Sequence, residues 1–235
     1  MKTKDICKRY KSQMALDTVS IQINKGDIYG LVGENGAGKT TFLRAISGLI
    51  YTDSGEISLF SNLNFRNELH RVGFVIESPF LYTKNTATEN LTIYCKAQNI
   101  SLNRIPEVLE LVGLSNCILR KHSDSKKKVS EFSQGMKQRL SLALALLSVP
   151  EFLVLDEPYN GLDPLGIEAL NRLILDLNQK YGVTLLVSNH ILKELEEYAT
   201  KYGFIHQGKM IREYKSVEMD KSLMETYKEL IGVDI

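Results

Sequence analysis

The sequence predicts an α/β fold, and three stretches predict it. Ile28 to Val32 is an apolar run that enters a glycine-rich turn and then a helical stretch, Thr41 to Ser47, closed by Gly48. Glu151 to Leu155 and Val183 to Val187 are two further strand-length runs, and both end in polar residues, Asp156-Glu157 and Ser188-Asn189-His190. Continuous apolar runs of this length, with helical patterns between them, are the signature of buried strands in an α/β domain.

The whole chain sets the bounds. At 235 residues it can bury a substantial core, as one large domain or one domain with an inserted subdomain. Lys and Arg number 29 against 28 Asp and Glu, so no global charge points to nucleic acid or an anionic membrane, and no nucleic-acid partner is expected. Cys7, Cys95 and Cys117 are odd in number and lack C-x-x-C spacing, which favours free thiols in a reducing compartment, the cytosol, over a disulfide frame or a zinc site. Met1 to Asp5 lacks the apolar core of a signal peptide. The longest apolar stretch, Leu140 to Leu155, is interrupted by Ser141, Ser148, Pro150 and Glu151, so no membrane span is expected. No internal repeat or low-complexity tract stands out.

In chain order, Val19, Ile21 and Ile23 alternate with polar residues before a Lys25-Gly26 turn and read as a half-buried strand. Tyr10 lies ahead of it. A flat aromatic there can stack on an adenine ring, but a tyrosine packed on its own strand gives the same sequence. The stretch Gly33-Glu34-Asn35-Gly36-Ala37-Gly38-Lys39-Thr40 fits the phosphate-cradling pattern G-x-x-x-x-G-K-[ST] at every fixed position. Glycines at 33, 36 and 38 let successive backbone N–H groups turn inward, toward phosphates seated at a helix N-terminus. Lys39 supplies a point charge for the β- and γ-phosphates, and Thr40 offers a hydroxyl to Mg²⁺.

Thr52 to Gly55 reads as a turn, Glu56 to Phe60 as a strand, and Arg71 to Ile76 as a strand ending at Glu77-Ser78-Pro79. The next segment is helical. Thr86 and Glu89 have capping-box spacing for a helix carrying Leu91, Ile93 and Tyr94, and a second helix covers Glu107 to Val112, stopped at Gly113. Arg120, Lys121, Lys126, Lys127 and Lys128 surround Asp124 in a basic cluster, read as a solvated loop or a phosphate contact. Ser133 sits at an N-cap position before Gln134, Gly135 and a Leu- and Ala-rich helix from Lys137 to Leu147. A serine there serves as a plain cap or as part of an anion site at the helix start.

Asp156 and Glu157 follow four consecutive apolar residues, where Mg²⁺ and water would meet a nucleotide held by the phosphate loop. Asp156 suits the Mg²⁺ shell. Glu157, directed to the other side by strand alternation, can take a proton from the attacking water. His190 gains interest from its place at a strand end. Tyr202 to His206, a Gln207-Gly208 turn and Lys209 to Ile211 read as a closing hairpin, with His206 structural. Ser216 to Leu230 reads as an amphipathic helix packed on the body.

Taken together, these motifs resemble the ATP-binding cassette family of transporter nucleotide-binding subunits over nearly the whole chain. Gly33 to Thr40 looks like the Walker A loop, with Thr41 beside it, and Leu153 to Asp156 looks like the Walker B strand. Glu157 looks like the catalytic carboxylate, His190 the switch histidine and Tyr10 the adenine platform. Asp163, in Gly161-Leu162-Asp163, looks like the D-loop aspartate. Phe132-Ser133-Gln134-Gly135-Met136 occupies the place of the L-S-G-G-Q signature, keeping the serine and the second glycine only.

The resemblance implies a RecA-like P-loop core with an antiparallel β-subdomain and an inserted α-helical subdomain. The core would take residues 1–76 and 151–235, and the helical subdomain residues 77–150. It implies Mg²⁺-dependent ATP hydrolysis by two subunits paired head to tail, a homodimer or a pair of similar cassettes. ATP would lie between the Walker A loop of one copy and the Ser133 to Gly135 segment of the other. It also implies separate transmembrane permease subunits, and a place on the cytoplasmic face of the membrane. Glu77 stands where the family usually has a metal-binding glutamine. With Glu89-Asn90-Leu91 and Phe132 to Leu140, it looks like the subgroup serving lantibiotic-immunity and bacitracin-resistance exporters. A carboxylate at 77 can ligate Mg²⁺ but adds negative charge near the γ-phosphate, so coupling is altered there or the change is neutral. The alternative function is a soluble ATP-driven clamp in nucleic-acid or ribosome processes. The two fused cassettes or coiled-coil insertion usual in such proteins are not visible here.

Overall fold

In the computed structural model, which describes residues 1–76, 81–115 and 127–232, two sheets share the core. The smaller is antiparallel, formed by β1 (Lys2–Tyr10), β2 (Gln13–Val19) and β4 (Ser54–Ser58) in the order β2-β1-β4. The larger contains β3 (Ile28–Val32), β5 (Val72–Val75), β6 (Phe152–Asp156), β7 (Thr184–Asn189), β8 (Lys201–His206) and β9 (Lys209–Lys215). Its order is β5-β6-β7-β3-β8-β9, parallel except for the final β8–β9 hairpin. The helices are α1 (Lys39–Ile46), α2 (Ala87–Gln98), α3 (Arg104–Leu111), α4 (Gln134–Leu146), α5 (Pro164–Gln179), α6 (Leu192–Glu196) and α7 (Leu223–Ile231).

Strands β3, β6 and β7 are buried along their whole length because both faces of the large sheet are covered. Alternation then deals their side chains to two cores. Tyr29, Leu31, Val154 and Leu186 face the layer of α1 and the antiparallel sheet, with Phe42 and Leu43. Ile28, Val32, Leu155 and Val187 face the other helices, including Ile174 of α5 and Leu140 of α4. Each such fully buried Leu or Phe stabilises the fold by about 1.5–3 kcal/mol relative to exposure.

The helical segment starts as its spacing requires. Thr86 accepts the Glu89 N–H at 3.2 Å, and the Glu89 carboxylate accepts the Thr86 N–H at 2.7 Å. Leu91, Cys95 and Val108 then bury one side of α2 and α3 against α4.

Several boundaries differ from the sequence expectation. The strand expected over Val19 to Ile23 ends at Val19, where Thr18 turns to φ 54°; Ile21 and Ile23 are buried beyond it. Tyr10 ends β1, a strand the alternation did not show. Helix α4 starts at Gln134 rather than Lys137. The expected helix over Ser216 to Leu230 is broken: a 3-10 turn at Ser216–Glu218 is followed by α7, which begins anew at the Ser222 cap. Helices α5 and α6 go beyond the sequence expectation.

Candidate active site

The C-terminal ends of three adjacent parallel strands carry the residues that the sequence singles out. β3 enters the Gly33–Thr40 loop and then α1; β6 delivers Asp156 and Glu157; β7 ends in Ser188 and Asn189, followed by His190. β6 and β7 pair Asp156 with Ser188, and β3 and β7 pair Val32 with Asn189. The crevice beyond such strand ends is where α/β sheets hold ligands.

Two of the loop glycines are dictated by space. A Cβ on Gly33 would lie 2.5 Å from the Ile205 carbonyl oxygen. Gly38 adopts φ 109°, and a Cβ there would lie 2.6 Å from the Ala15 carbonyl oxygen. Gly38 is the N-cap of α1, and no side chain caps that helix. The first-turn N–H groups and the positive end of the helix dipole therefore face the loop, which is the donor set a phosphate needs. Glu34, Asn35 and Gly36 are exposed, whereas Ala37 and Lys39 are buried. The Lys39 ammonium donates to Gly33 O at 2.6 Å and Glu34 O at 3.2 Å, and lies 3.3 Å from Glu157 Oε1.

Thr40 Oγ1 donates to Asp156 Oδ2 at 2.9 Å, and Ser188 Oγ donates to Asp156 Oδ1. Burial pushes the Asp156 carboxyl pKa up; the two hydroxyls and Lys39 pull against that shift without cancelling it. A hydroxyl and a carboxylate are hard oxygen donors that fit Mg²⁺, which takes few protein ligands and completes its shell with phosphate oxygens and water. Among the described residues, no group of three His, Cys, Asp or Glu side chains could hold a metal ion.

Glu157 lies just beyond β6 at φ 47°, a backbone region that side chains rarely adopt. Its N–H donates to Ser188 O and Ser188 Oγ, both at 3.1 Å. That anchored turn, not strand alternation, aims its carboxylate. Oε1 meets Lys39 and Oε2 contacts His190 Nδ1. Strain of this sort concentrates where geometry must be held for chemistry. A cleft of about 500 Å³ opens in front of Thr40, Asp156 and Glu157, with Thr83, Gln134 and Lys137 of the helical segment on its far side. A larger cavity of about 690 Å³ lies at the opposite end of the sheet, between Met1, Lys25, Phe152 and Tyr181, and holds none of these residues.

Behind Glu157, Tyr159 is buried with its hydroxyl 2.6 Å from Asn171 Oδ1 and 2.7 Å from the Tyr198 hydroxyl. Asn171 Nδ2 donates to Glu197 at 2.7 Å and Glu194 at 3.2 Å, which makes Oδ1 the acceptor from Tyr159. The Tyr159 hydroxyl therefore accepts from Tyr198. Burial pushes the Tyr159 pKa up and keeps this chain of hydrogen bonds neutral at the phenols.

The remaining expected residues stand further out. Tyr10 is exposed at the end of β1, with Lys8 Nζ 5.6 Å from its ring centroid. It belongs to the β1–β2 hairpin, whose Ala15 and Leu16 abut Gly38. Ser133 accepts the Met136 N–H at 3.2 Å and Asp163 accepts the Gly166 N–H at 2.8 Å, so both are helix N-caps. Gly161 and Gly135 bring the Asp163 segment against the start of α4: a Cβ on Gly161 would lie 2.4 Å from Gln134 Cγ. His206 Nδ1 is 2.9 Å from Glu34 Oε1. Glu77, Cys117 and Arg120, Lys121, Asp124 and Lys126 of the basic cluster lie outside the described residues.

Among the described side chains that hydrogen-bond the phosphate loop or the acidic pair, two carry no role in the sequence reading. Ser188 is one, and a serine directly before Asn189-His190 at a strand end was its signal. The other is Tyr227, whose hydroxyl accepts the Glu34 N–H at 3.1 Å across 193 residues of sequence. No local pattern announces it.

Fold and site together define a phosphate-loop nucleotide hydrolase with an inserted helical segment. Residues 16–160 match the family described as ABC transporter. The chain belongs to the ABC transporter family, as one of its ATP-binding ATPase cassettes. It is 46% identical over 217 residues to the bacitracin transport ATP-binding protein BcrA of Bacillus licheniformis, spanning 91% of this chain and 69% of that protein. It is 37% identical over 231 residues to the lantibiotic transport ATP-binding protein SrtF of Streptococcus pyogenes, spanning 98% and 97%. These relatives match the subgroup that the sequence motifs resembled. Among solved structures it is similar to an ATP-binding subunit of an ABC transporter, with TM-score 0.84 and 29% identity over 98% of both chains. It is also similar to the dimeric post-hydrolysis cassette MJ0796 bound to ADP and Pi, with TM-score 0.81 and 25% identity over 92% of this chain and 98% of that one. No helix among the described residues is long and apolar enough to cross a membrane.

Proposed function

We propose that this chain is the subunit whose ATP hydrolysis energises export of a peptide antibiotic, giving resistance or self-protection, through separate membrane subunits. The observation that carries the reading is the convergence of Lys39, Asp156, Glu157 and His190 at one crevice, on the uncapped start of α1. The bacitracin and lantibiotic relatives supply the class of cargo.

In this reading the Gly33–Thr40 loop, including Glu34, Asn35 and Ala37, wraps the phosphates, with Thr41 at the α1 start. Lys39 leaves its carbonyl partners to meet the β- and γ-phosphates, and Tyr10 flanks the adenine. Thr40, Asp156 and Glu77 hold Mg²⁺, which when bound neutralises charge developing on the phosphate oxygens. Glu157 takes the proton of the attacking water, and His190 orients Glu157 and the γ-phosphate. Ser133, Gln134 and Gly135 of a second copy close over the same nucleotide, with Asp163 at the contact between copies. Closure on ATP and reopening after hydrolysis then drive the membrane subunits. The helical segment, residues 77–150, would be their docking side, with the remaining residues forming the catalytic body at the cytoplasmic face of the membrane.

The test is purification of the tagged chain from gently solubilised native membranes, with Mg²⁺-dependent ATPase activity measured on the eluate. Polytopic membrane proteins in stoichiometric amount, and an activity lost in Glu157→Gln, support the reading. Recovery with ribosomes or nucleic acid instead would put the soluble-clamp alternative in its place.

A further inference from the structure

Helix α7 touches both segments that flank the candidate active site. Its Ser222 cap sets the first turn, so that Leu223 and Tyr227, one turn apart, point inward and are buried. The Leu223 N–H donates to Glu196, the last residue of α6, the helix that begins two residues after His190. Four residues on, the Tyr227 ring stacks on Phe204 of β8, with centroids 6.2 Å apart and planes at 18°. That packing places the Tyr227 hydroxyl 3.1 Å from the backbone nitrogen of Glu34, the second residue of the phosphate loop. The Glu34 carbonyl also accepts from Lys39 at 3.2 Å, while its carboxylate approaches His206 Nδ1 to 2.9 Å without forming a hydrogen bond.

We propose that Tyr227 is a positioning residue for the phosphate loop, and that α7 thereby senses whether nucleotide occupies it. The proposal rests on Gly33–Thr40 binding ATP, as read above. Glu34 is exposed, and its N–H lies outside the run of amides at the α1 start. Held by Tyr227, the first half of the loop keeps the shape from which those amides converge. Released, it samples other shapes, and apparent affinity falls in proportion to the fraction that remains competent. One hydrogen bond of this sort corresponds to about a two- to tenfold change. Coupling between two equilibria is reciprocal, so nucleotide must tighten the docking of α7 by the same factor that docked α7 tightens nucleotide.

Tyr227→Phe removes the hydroxyl and keeps the ring on Phe204. Equilibrium titration of the full chain with a non-hydrolysable ATP analogue, in Mg²⁺, is expected to give about a two- to tenfold weaker Kd in Tyr227→Phe, beside a fall of about a few degrees at most in the nucleotide-free Tm, because the bond also exists without nucleotide. A purely structural role would move Tm and leave Kd alone. As a second readout on the unaltered protein, hydrogen exchange across residues 223–231 is expected to slow when the analogue binds, and this slowing is expected to be lost in Tyr227→Phe. Wild-type affinity in the variant, or exchange in α7 that ignores nucleotide in the unaltered chain, overturns the role of Tyr227. Failure of the unaltered chain to bind the analogue at all is a separate outcome, and overturns the ATP reading itself.

Discussion

Lys39 Nζ and Glu157 Oε1 stand 3.3 Å apart, with the lysine side chain 5% exposed and the glutamate 17%. In so dry a place the ammonium is neutralised by a carboxylate that the chemistry also needs. A triphosphate arriving at the loop competes with Glu157 for Lys39 and brings further negative charge toward the same carboxylate. The pair therefore sets affinity and catalysis against each other.

Glu157→Gln separates the two. The amide keeps the size and can still meet His190, but it neither accepts a water proton nor repels the γ-phosphate. Hydrolysis is expected to fall by about 100-fold or more, the usual contribution of a positioned general base, while ATP binds severalfold more tightly. Single-turnover hydrolysis and nucleotide titration on the same preparation check both halves. Normal turnover in the variant would remove Glu157 from the role of base.

At Asp156 the apoprotein's stability and the chemistry pull in opposite directions. Burial raises its pKa in the folded protein above the unfolded value of about 3.9. Between those two values the folded state holds the proton more often, so stability declines as pH rises through the native pKa, and at neutral pH the ionised group is a net cost. Asp156→Asn removes the charge, and the Thr40 and Ser188 hydroxyls can turn to suit the amide. In metal-free buffer at pH 7 the variant is expected to melt higher than the parent, with the advantage shrinking as pH is lowered toward 4, while Mg²⁺-dependent hydrolysis is lost. A lower Tm at pH 7 would show that the carboxylate stabilises the apoprotein.

Much of this fold and site was legible because the signals are local in sequence. The Gly33–Thr40 spacing, the acidic pair after Phe152–Leu155 and the Thr86/Glu89 box each lie within one turn or one strand end, where residue type fixes backbone geometry. What escaped reading was shaped by irregularity or by distance. β1 hides because Asp5 sits at φ 50° amid a register shift, so that the buried Thr3 and Ile6 fall three apart and break the alternation. α5 did carry a signal, an Asp163-Pro164 start with Leu170, Ile174 and Leu177 on one face, and could have been found. Tyr227 and Glu34 meet only because β8 and α7 are in place, which no window of sequence contains.

Gly203 illustrates a glycine required by a neighbour and not by its own backbone. A Cβ there would fall 1.9 Å from the Tyr29 hydroxyl oxygen, which is held by a 2.8 Å bond to Glu213 while Glu213 also meets Lys201 at 2.9 Å. Tyr29 is fully buried, so the ring cannot step aside. Gly203→Ala is expected to cost about 1–3 kcal/mol, at about 2–4 °C of Tm for each. In a cycle with Tyr29→Leu, the double variant should be less destabilised than the sum of the singles, and strict additivity would disprove the contact as the cause.

Asp163 accepts the Gly166 N–H at 2.8 Å and starts α5, with Pro164 at its first position. That helix carries Asn171, whose amide oxygen receives the Tyr159 hydroxyl at 2.6 Å, two residues after Glu157. A loosened α5 start therefore acts on stability first, and reaches the site through this buried bond and through the packing of Gly161 on Gln134. Asp163→Ala is expected to lose about 1 kcal/mol, seen as a lower Tm. Asp163→Asn, which preserves the cap and gives up only the favourable charge at the helix start, is expected to keep its Tm and most of its ATPase activity. The comparison discriminates between two roles for one carboxylate. If the asparagine variant melts like the parent yet hydrolyses ATP tenfold more slowly, the charge serves the contact between two copies and the cap is secondary. If activity follows stability through both variants, Asp163 reaches the reaction by holding α5 in place.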